Sequence, residues 1–145
     1  MKKIILIAFV LMLFFLASNS QADAASKFIQ VYRDGSQDMY VNTASIIQIK
    51  GITSFWVKSV YSAQGKAALK SEVPQKLHKT AFEYGLDYFQ YDLKKNKYNI
   101  KICSLYADSK EVYREGNKKW LPLRNGTIAA DVLAKVNEHL ESKKD

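Results

Sequence analysis

This 145-residue chain has one cysteine, two histidines, three arginines and two prolines, and each shortage closes off a class of protein. Cys103, the single thiol, makes no internal disulfide. Stability therefore has to come from packing, and nine tyrosines and seven phenylalanines supply large side chains to bury. No cysteine stands just after the N-terminal apolar run, where lipid attachment would need one, so a lipid-attached N-terminus is not expected. His78 and His139 share no metal-ligand spacing with a cysteine or a carboxylate, so neither a metal nor another cofactor is expected. Cys103 has no histidine or motif beside it to make it a nucleophile. With no acid–base pair in view either, the chain reads as a non-enzyme without catalytic residues. After residue 17 there is no second long apolar run, and no internal repeat or low-complexity tract.

What the chain does have begins with an address. Lys2 and Lys3 precede an unbroken apolar run over residues 4–17, then Ser18-Asn19-Ser20-Gln21 and Ala22-Asp23-Ala24. A charged start, a short apolar centre and an Ala-x-Ala site are the marks of a cleaved signal peptide. The apolar run falls short of the roughly 20 residues that cross a bilayer. Residues 1–24 are read as that peptide and 25–145 as one domain, large enough for a single core. The protein is thus expected to be exported, to the periplasm or the cell surface, with no transmembrane segment after cleavage. The formal net charge is +8, and removing Lys2, Lys3 and Asp23 leaves +7.

The exported part reads as α+β: an antiparallel meander of about five to six strands with one packed C-terminal helix. Residues 28–32 and 39–41 are strand-like on either side of Asp34-Gly35, a hairpin signal with a lengthened loop. Residues 42–45 suit a turn or one helical turn, and residues 53–61 make the clearest strand. There Trp56 stands on the second face, which implies cover by the helix or a partner. Residues 62–85 form a long excursion, with a short helix at 65–70 stopped before Pro74 and one helical turn near 75–80. A long loop of this kind is the first place to expect a ligand contact. Residues 88–93 and 98–106 pair across Lys94-Lys95-Asn96-Lys97. Tyr98, Ile100 and Ile102 are expected on one face, with a bulge or two-sided burial near Ser104. Residues 112–114 form a third strand, and Pro122 suits an edge or strand end. Asn125-Gly126-Thr127 matches a glycosylation sequon but reads better as a helix start capped by Thr127. Ile128, Val132, Leu133, Val136 and Leu140 then make the apolar stripe of the last helix.

Few residues remain for function. Glu83 with Asp87, and Asp108 with Glu111, read as surface loop carboxylates rather than pairs across a cleft. A histidine on the polar side of the last helix is expected to be solvated. Cys103 is expected as a small, half-buried strand residue, with cross-linking of two copies into a homodimer as its other role. The candidates for partner binding are Lys94, Lys95 and Lys97 in one turn, with Lys118 and Lys119 just before Trp120. Brought to one end of the sheet, they would form a basic patch for an acidic partner. The alternative is a dispersed solubilising surface. Export and the shortage of arginine argue against nucleic acid as the partner.

Several short motifs, in order, resemble the surface-adhesin protein E family of small exported bacterial proteins. They are Tyr40-Val41-Asn42-Thr43-Ala44-Ser45-Ile46, Phe55-Trp56-Val57-Lys58, Tyr91-Asp92-Leu93 with the strand at 98–106, Trp120-Leu121-Pro122-Leu123 and Asn125-Gly126-Thr127-Ile128. The resemblance implies an antiparallel sheet with a packed C-terminal helix, an envelope or surface location, and adhesion to host matrix and plasma proteins by a chain that can dimerise. The sequence departs from that family at Leu93, where many members carry a cysteine, and at the end of the last helix, where none stands, so the framework disulfide is missing. The expected function is therefore an exported, non-enzymatic protein of the bacterial envelope or surface that binds a protein or other envelope macromolecule, with adhesin binding as its most concrete form. The alternative is a periplasmic housekeeping or inhibitor protein acting on an envelope component or enzyme.

Overall fold

A computed structural model describes residues 27–144; the signal peptide expected over 1–24 lies outside them. The fold is α+β. One sheet holds eight antiparallel strands, β1 (Phe28–Arg33), β2 (Gln37–Asn42), β3 (Ile47–Ile49), β4 (Ile52–Tyr61), β5 (Tyr84–Asp92), β6 (Lys97–Ala107), β7 (Lys110–Gly116) and β8 (Leu121–Pro122). The spatial order is β1-β2-β4-β5-β6-β7; β3 extends the β2 side of β4, and β8 extends the β7 side of β6. Each chain reversal is set by local chemistry. Asp34 closes β1–β2 by accepting from the amides of Ser36 and Gln37 at 2.7 and 2.8 Å. Lys50-Gly51 and Asp108-Ser109 take left-handed backbone at both positions, the geometry whose twist suits two-residue hairpins.

Among the described residues the two α-helices are α1 (Ala63–Lys70) and α2 (Ile128–Glu141). Both have side-chain caps: the Ser62 hydroxyl accepts from the Gly65 amide at 3.1 Å, and the Thr127 hydroxyl from the Ala130 amide at 3.3 Å. Both lie over the same face of the sheet, the inner face. The α2 stripe of Ala129, Val132, Leu133 and Val136 packs on Val31, Met39, Val41, Phe55, Val57, Phe89 and Tyr91. Burying a valine completely, as at Val132 and Val136, contributes about 2 kcal/mol each. The Tyr91 hydroxyl donates to the Ala129 carbonyl at 2.9 Å and so ties sheet to helix. A second, smaller core of Val73, Phe82 and Leu105 holds the excursion on the same face, with Tyr61, Leu69, Leu77 and Tyr113 around it.

Several expectations shift in detail. The excursion does contain a helix, extended back to Ala63, and a 3-10 turn at Gln75–Leu77. Ile128 does not join the buried stripe: it is 37% exposed, and Ala129 takes its place. Trp56 is not covered by a helix. It stands on the outer face, half-buried against Tyr88, with ring centroids 5.0 Å apart. Nor do Tyr98, Ile100 and Ile102 share a face. Tyr88 pairs with Ile102 and Phe89 with Ile100, so Lys101 is an extra residue in β6. This bulge sends Ile102 outward with Tyr88 and turns Cys103 and Leu105 inward, opposite Asp87 and Gly85.

Candidate functional site

Two regions combine exposure or cavity with chemistry. The first is the end of the sheet that carries the lysine turn. Ile52 of β4 pairs with Asp92 of β5, and Asp92 with Lys97 of β6, so the β3–β4 and β5–β6 turns lie side by side. The Lys94 side chain runs over Gly51, where an added Cβ would meet its Cε at 3.5 Å. Lys94, Lys95 and Lys97 thus share this end with Lys50. Lys118 and Lys119 come up the neighbouring edge: the Asn117 amide donates to the Lys101 carbonyl at 3.0 Å, and Leu121 pairs with Tyr98. The expected five are all exposed. Lys95 is partly neutralised by Asp92, 3.6 Å away; among the described residues no ion pair involves the other four. Leu93 beside Lys94, Ile47 and Ile49 in the strand before Lys50, and Trp120 after Lys119 are also exposed, which charge counting along the sequence did not bring out. Their signal was available: Ile47 and Ile49 lie in phase beside a Lys-Gly turn.

The second region is a cleft on the inner face between the two cores. Its floor is Asp87 of β5, only 8% exposed. Three cavities of about 280, 320 and 230 Å³ share Asp87 as a wall. The first runs under α1, past Tyr61, Leu69 and Glu72. The second runs under the start of α2, past Met39, Phe89, Tyr98 and Ile100. The third opens at the β7 edge, past Cys103 and Glu115. Burial pushes the Asp87 carboxyl up to about 6, although the adjoining Cys103 thiol pulls the other way. Burial, and then the Asp87 charge, push the Cys103 thiol far above its ordinary value. Burial raises the Tyr61 hydroxyl strongly as well. A thiol held protonated is a poor nucleophile and a slow partner in disulfide exchange.

Other candidates resolve into structure. Glu83 and Asp87 are not a surface pair: Glu83 accepts from the amides of Asp108 and Ser109, fixing the β6–β7 turn, while Asp87 is buried. Glu111 is held by Arg114 at 2.7 Å. His78 contacts the Val73 carbonyl at 3.1 Å. His139 is half-buried, with a ring nitrogen lacking a partner, rather than solvated. Among the described residues no three histidine, cysteine or acidic side chains converge as a metal site, and no helix is long and apolar enough to cross a membrane.

These features define an open antiparallel sheet with both helices on one face, an apolar-studded basic end and an acidic internal cleft. The chain matches no protein-family model, no curated protein and no solved structure.

Proposed function

We propose that this is an exported, non-enzymatic binding protein of the bacterial envelope or surface, of the surface-adhesin E-like kind, which grips an acidic protein partner by the basic end of its sheet. One observation carries the reading: exposed apolar side chains, Leu93 beside Lys94, Ile49 and Ile47 in the strand before Lys50 and Trp120 after Lys119, accompany the exposed lysines along this end and edge of the sheet. Apolar side chains left in water beside charges match the anatomy of a contact surface, in which an aromatic anchor holds and charges at the margin steer. The leader-like N-terminus supports export, and the motif resemblance supports adhesion to host matrix or plasma proteins as the concrete form.

Immobilised protein should capture such proteins saturably, and less well as salt rises. Trp120→Ala should weaken capture by roughly tenfold, the usual cost of an interface anchor. The Lys94→Glu/Lys97→Glu double variant should chiefly slow association and flatten the salt dependence. No capture across a broad panel of matrix and plasma proteins refutes the adhesin form. Protein that stays protected from protease in intact cells supports a periplasmic partner instead.

A further inference from the structure

The geometry points to a second, separate binding site: the cleft floored by Asp87 takes a small amphipathic cation, with an ammonium head on the carboxylate and a short apolar body beneath the start of α2. Two observations converge on it. The Asp87 Oδ1 atom is buried without a hydrogen-bond partner among the described residues, although buried carboxylate oxygens are almost always satisfied. That carboxyl lines all three cavities, so the missing partner has somewhere to sit. Asn99 and Ser104, also unpartnered, point to the opposite face and line none of the three.

The charge of the walls selects the ligand. In a protein with a net charge of +8, no lysine, arginine or histidine among the described residues lines these cavities, whereas Glu72, Asp87 and Glu115 do. An anion is thereby excluded. A neutral donor would satisfy Oδ1 but gain nothing from the surrounding carboxylates; an ammonium gains from both. The largest of the three cavities, about 320 Å³, is walled by Met39, Phe89, Tyr98 and Ile100 and gives an apolar body its place. A buried acid raised to about 6 costs stability whenever it is ionised, and a cation on it would remove that cost. The site is therefore a lone acid lacking its counter-charge.

The test uses three probes of one length, n-hexylammonium, 1-hexanol and hexanoate, titrated into the isotope-labelled protein at pH 7.5 and followed by amide NMR. Hexylammonium should bind saturably and shift the amides of Asp87, Phe89, Ile100 and Ala129. Hexanol should bind roughly tenfold or more weakly, the worth of a charge-assisted hydrogen bond, and hexanoate not at all. Asp87→Asn, which removes the charge and nearly keeps the shape while turning one acceptor oxygen into a donor, should bring ammonium and alcohol to near parity while its circular dichroism stays native. Ile128→Trp, at a half-exposed position on the cavity wall, should block hexylammonium and hexanol alike. Equal binding of alcohol and ammonium, a preference surviving in Asp87→Asn, shifts clustered away from the cleft, or no hexylammonium binding at millimolar concentration would each overturn the assignment.

Discussion

Replacing Asp87 by asparagine should change the protein's stability by an amount that depends on pH in a defined direction, the variant gaining on wild type as pH rises. In the folded state the carboxyl ionises near 6, against 3.8 ordinarily. A group whose folded pKa is raised works against folding where it is ionised: the penalty is absent below the unfolded value and complete above the folded one. Each pH unit between the two values is worth about 1.4 kcal/mol, so the full penalty is about 3 kcal/mol, developing between pH 4 and pH 7. Asparagine has nearly the same shape and never ionises. Its buried amide carries its own cost, about 1–3 kcal/mol if unpaired, but that cost does not vary with pH. The measurable signature is therefore the change in the difference between the two proteins. For a domain of this size the melting temperature of the variant, relative to wild type, should be roughly 10 °C higher at pH 8 than at pH 4. Thermal unfolding followed by circular dichroism at the two pH values reads this directly. A difference that stays constant from pH 4 to pH 8 would refute a buried, uncompensated carboxylate at this position.

Gly65 of α1 approaches the β1–β2 turn so closely that an added Cβ would stand 2.0 Å from the Ser36 carbonyl oxygen. Gly65→Ala should therefore destabilise by about 1–3 kcal/mol in urea unfolding despite alanine's better helix propensity; a stabilised variant would mean that α1 docks elsewhere. Cys103 should react with a disulfide reagent at pH 8 far more slowly than an unfolded-chain thiol, and reach the ordinary rate only in denaturant. Equal rates with and without denaturant would show the thiol to be free of its buried, acidic surroundings.

The sheet, the last helix with its Thr127 cap, and the short excursion helix were legible because each rests on local pattern: alternation, capping residues, turn chemistry. The basic turn was legible too, as charge on a short loop. The cleft was not, for a reason that lies in β5. Gly85 and Asp87 are poor strand formers, so the residue pattern starts the strand at Tyr88 and leaves Asp87 among the loop carboxylates. In the structure β5 starts at Tyr84, and Gly85, Asp87, Phe89 and Tyr91 all point inward. An acid in phase with two buried aromatics was the available signal. The docking of α1 on Ser36 had no local signal at all, since it joins residues 29 positions apart through one missing Cβ.

The two proposed sites depend on one irregularity in β6. Carried on without a bulge from the Phe89–Ile100 pair, the ladder would set Ile102 opposite Asp87 and Ser104 opposite Gly85. Cys103 and Leu105 would then face outward. An isoleucine beside the carboxyl would fill the space where the cavities now meet, and Leu105 would leave the small core that holds the excursion down. With Lys101 as the extra residue, the smaller Cys103 stands beside Asp87 and Leu105 seals the core with Phe82 and Val73. The same bulge leaves the Lys101 carbonyl to the Asn117 amide, which leads Lys118, Lys119 and Trp120 up the sheet edge toward the lysine turn. A single inserted residue thus opens the acidic cleft on one face and feeds the basic end at the sheet's edge, re-aiming side chains as bulges near binding sites commonly do.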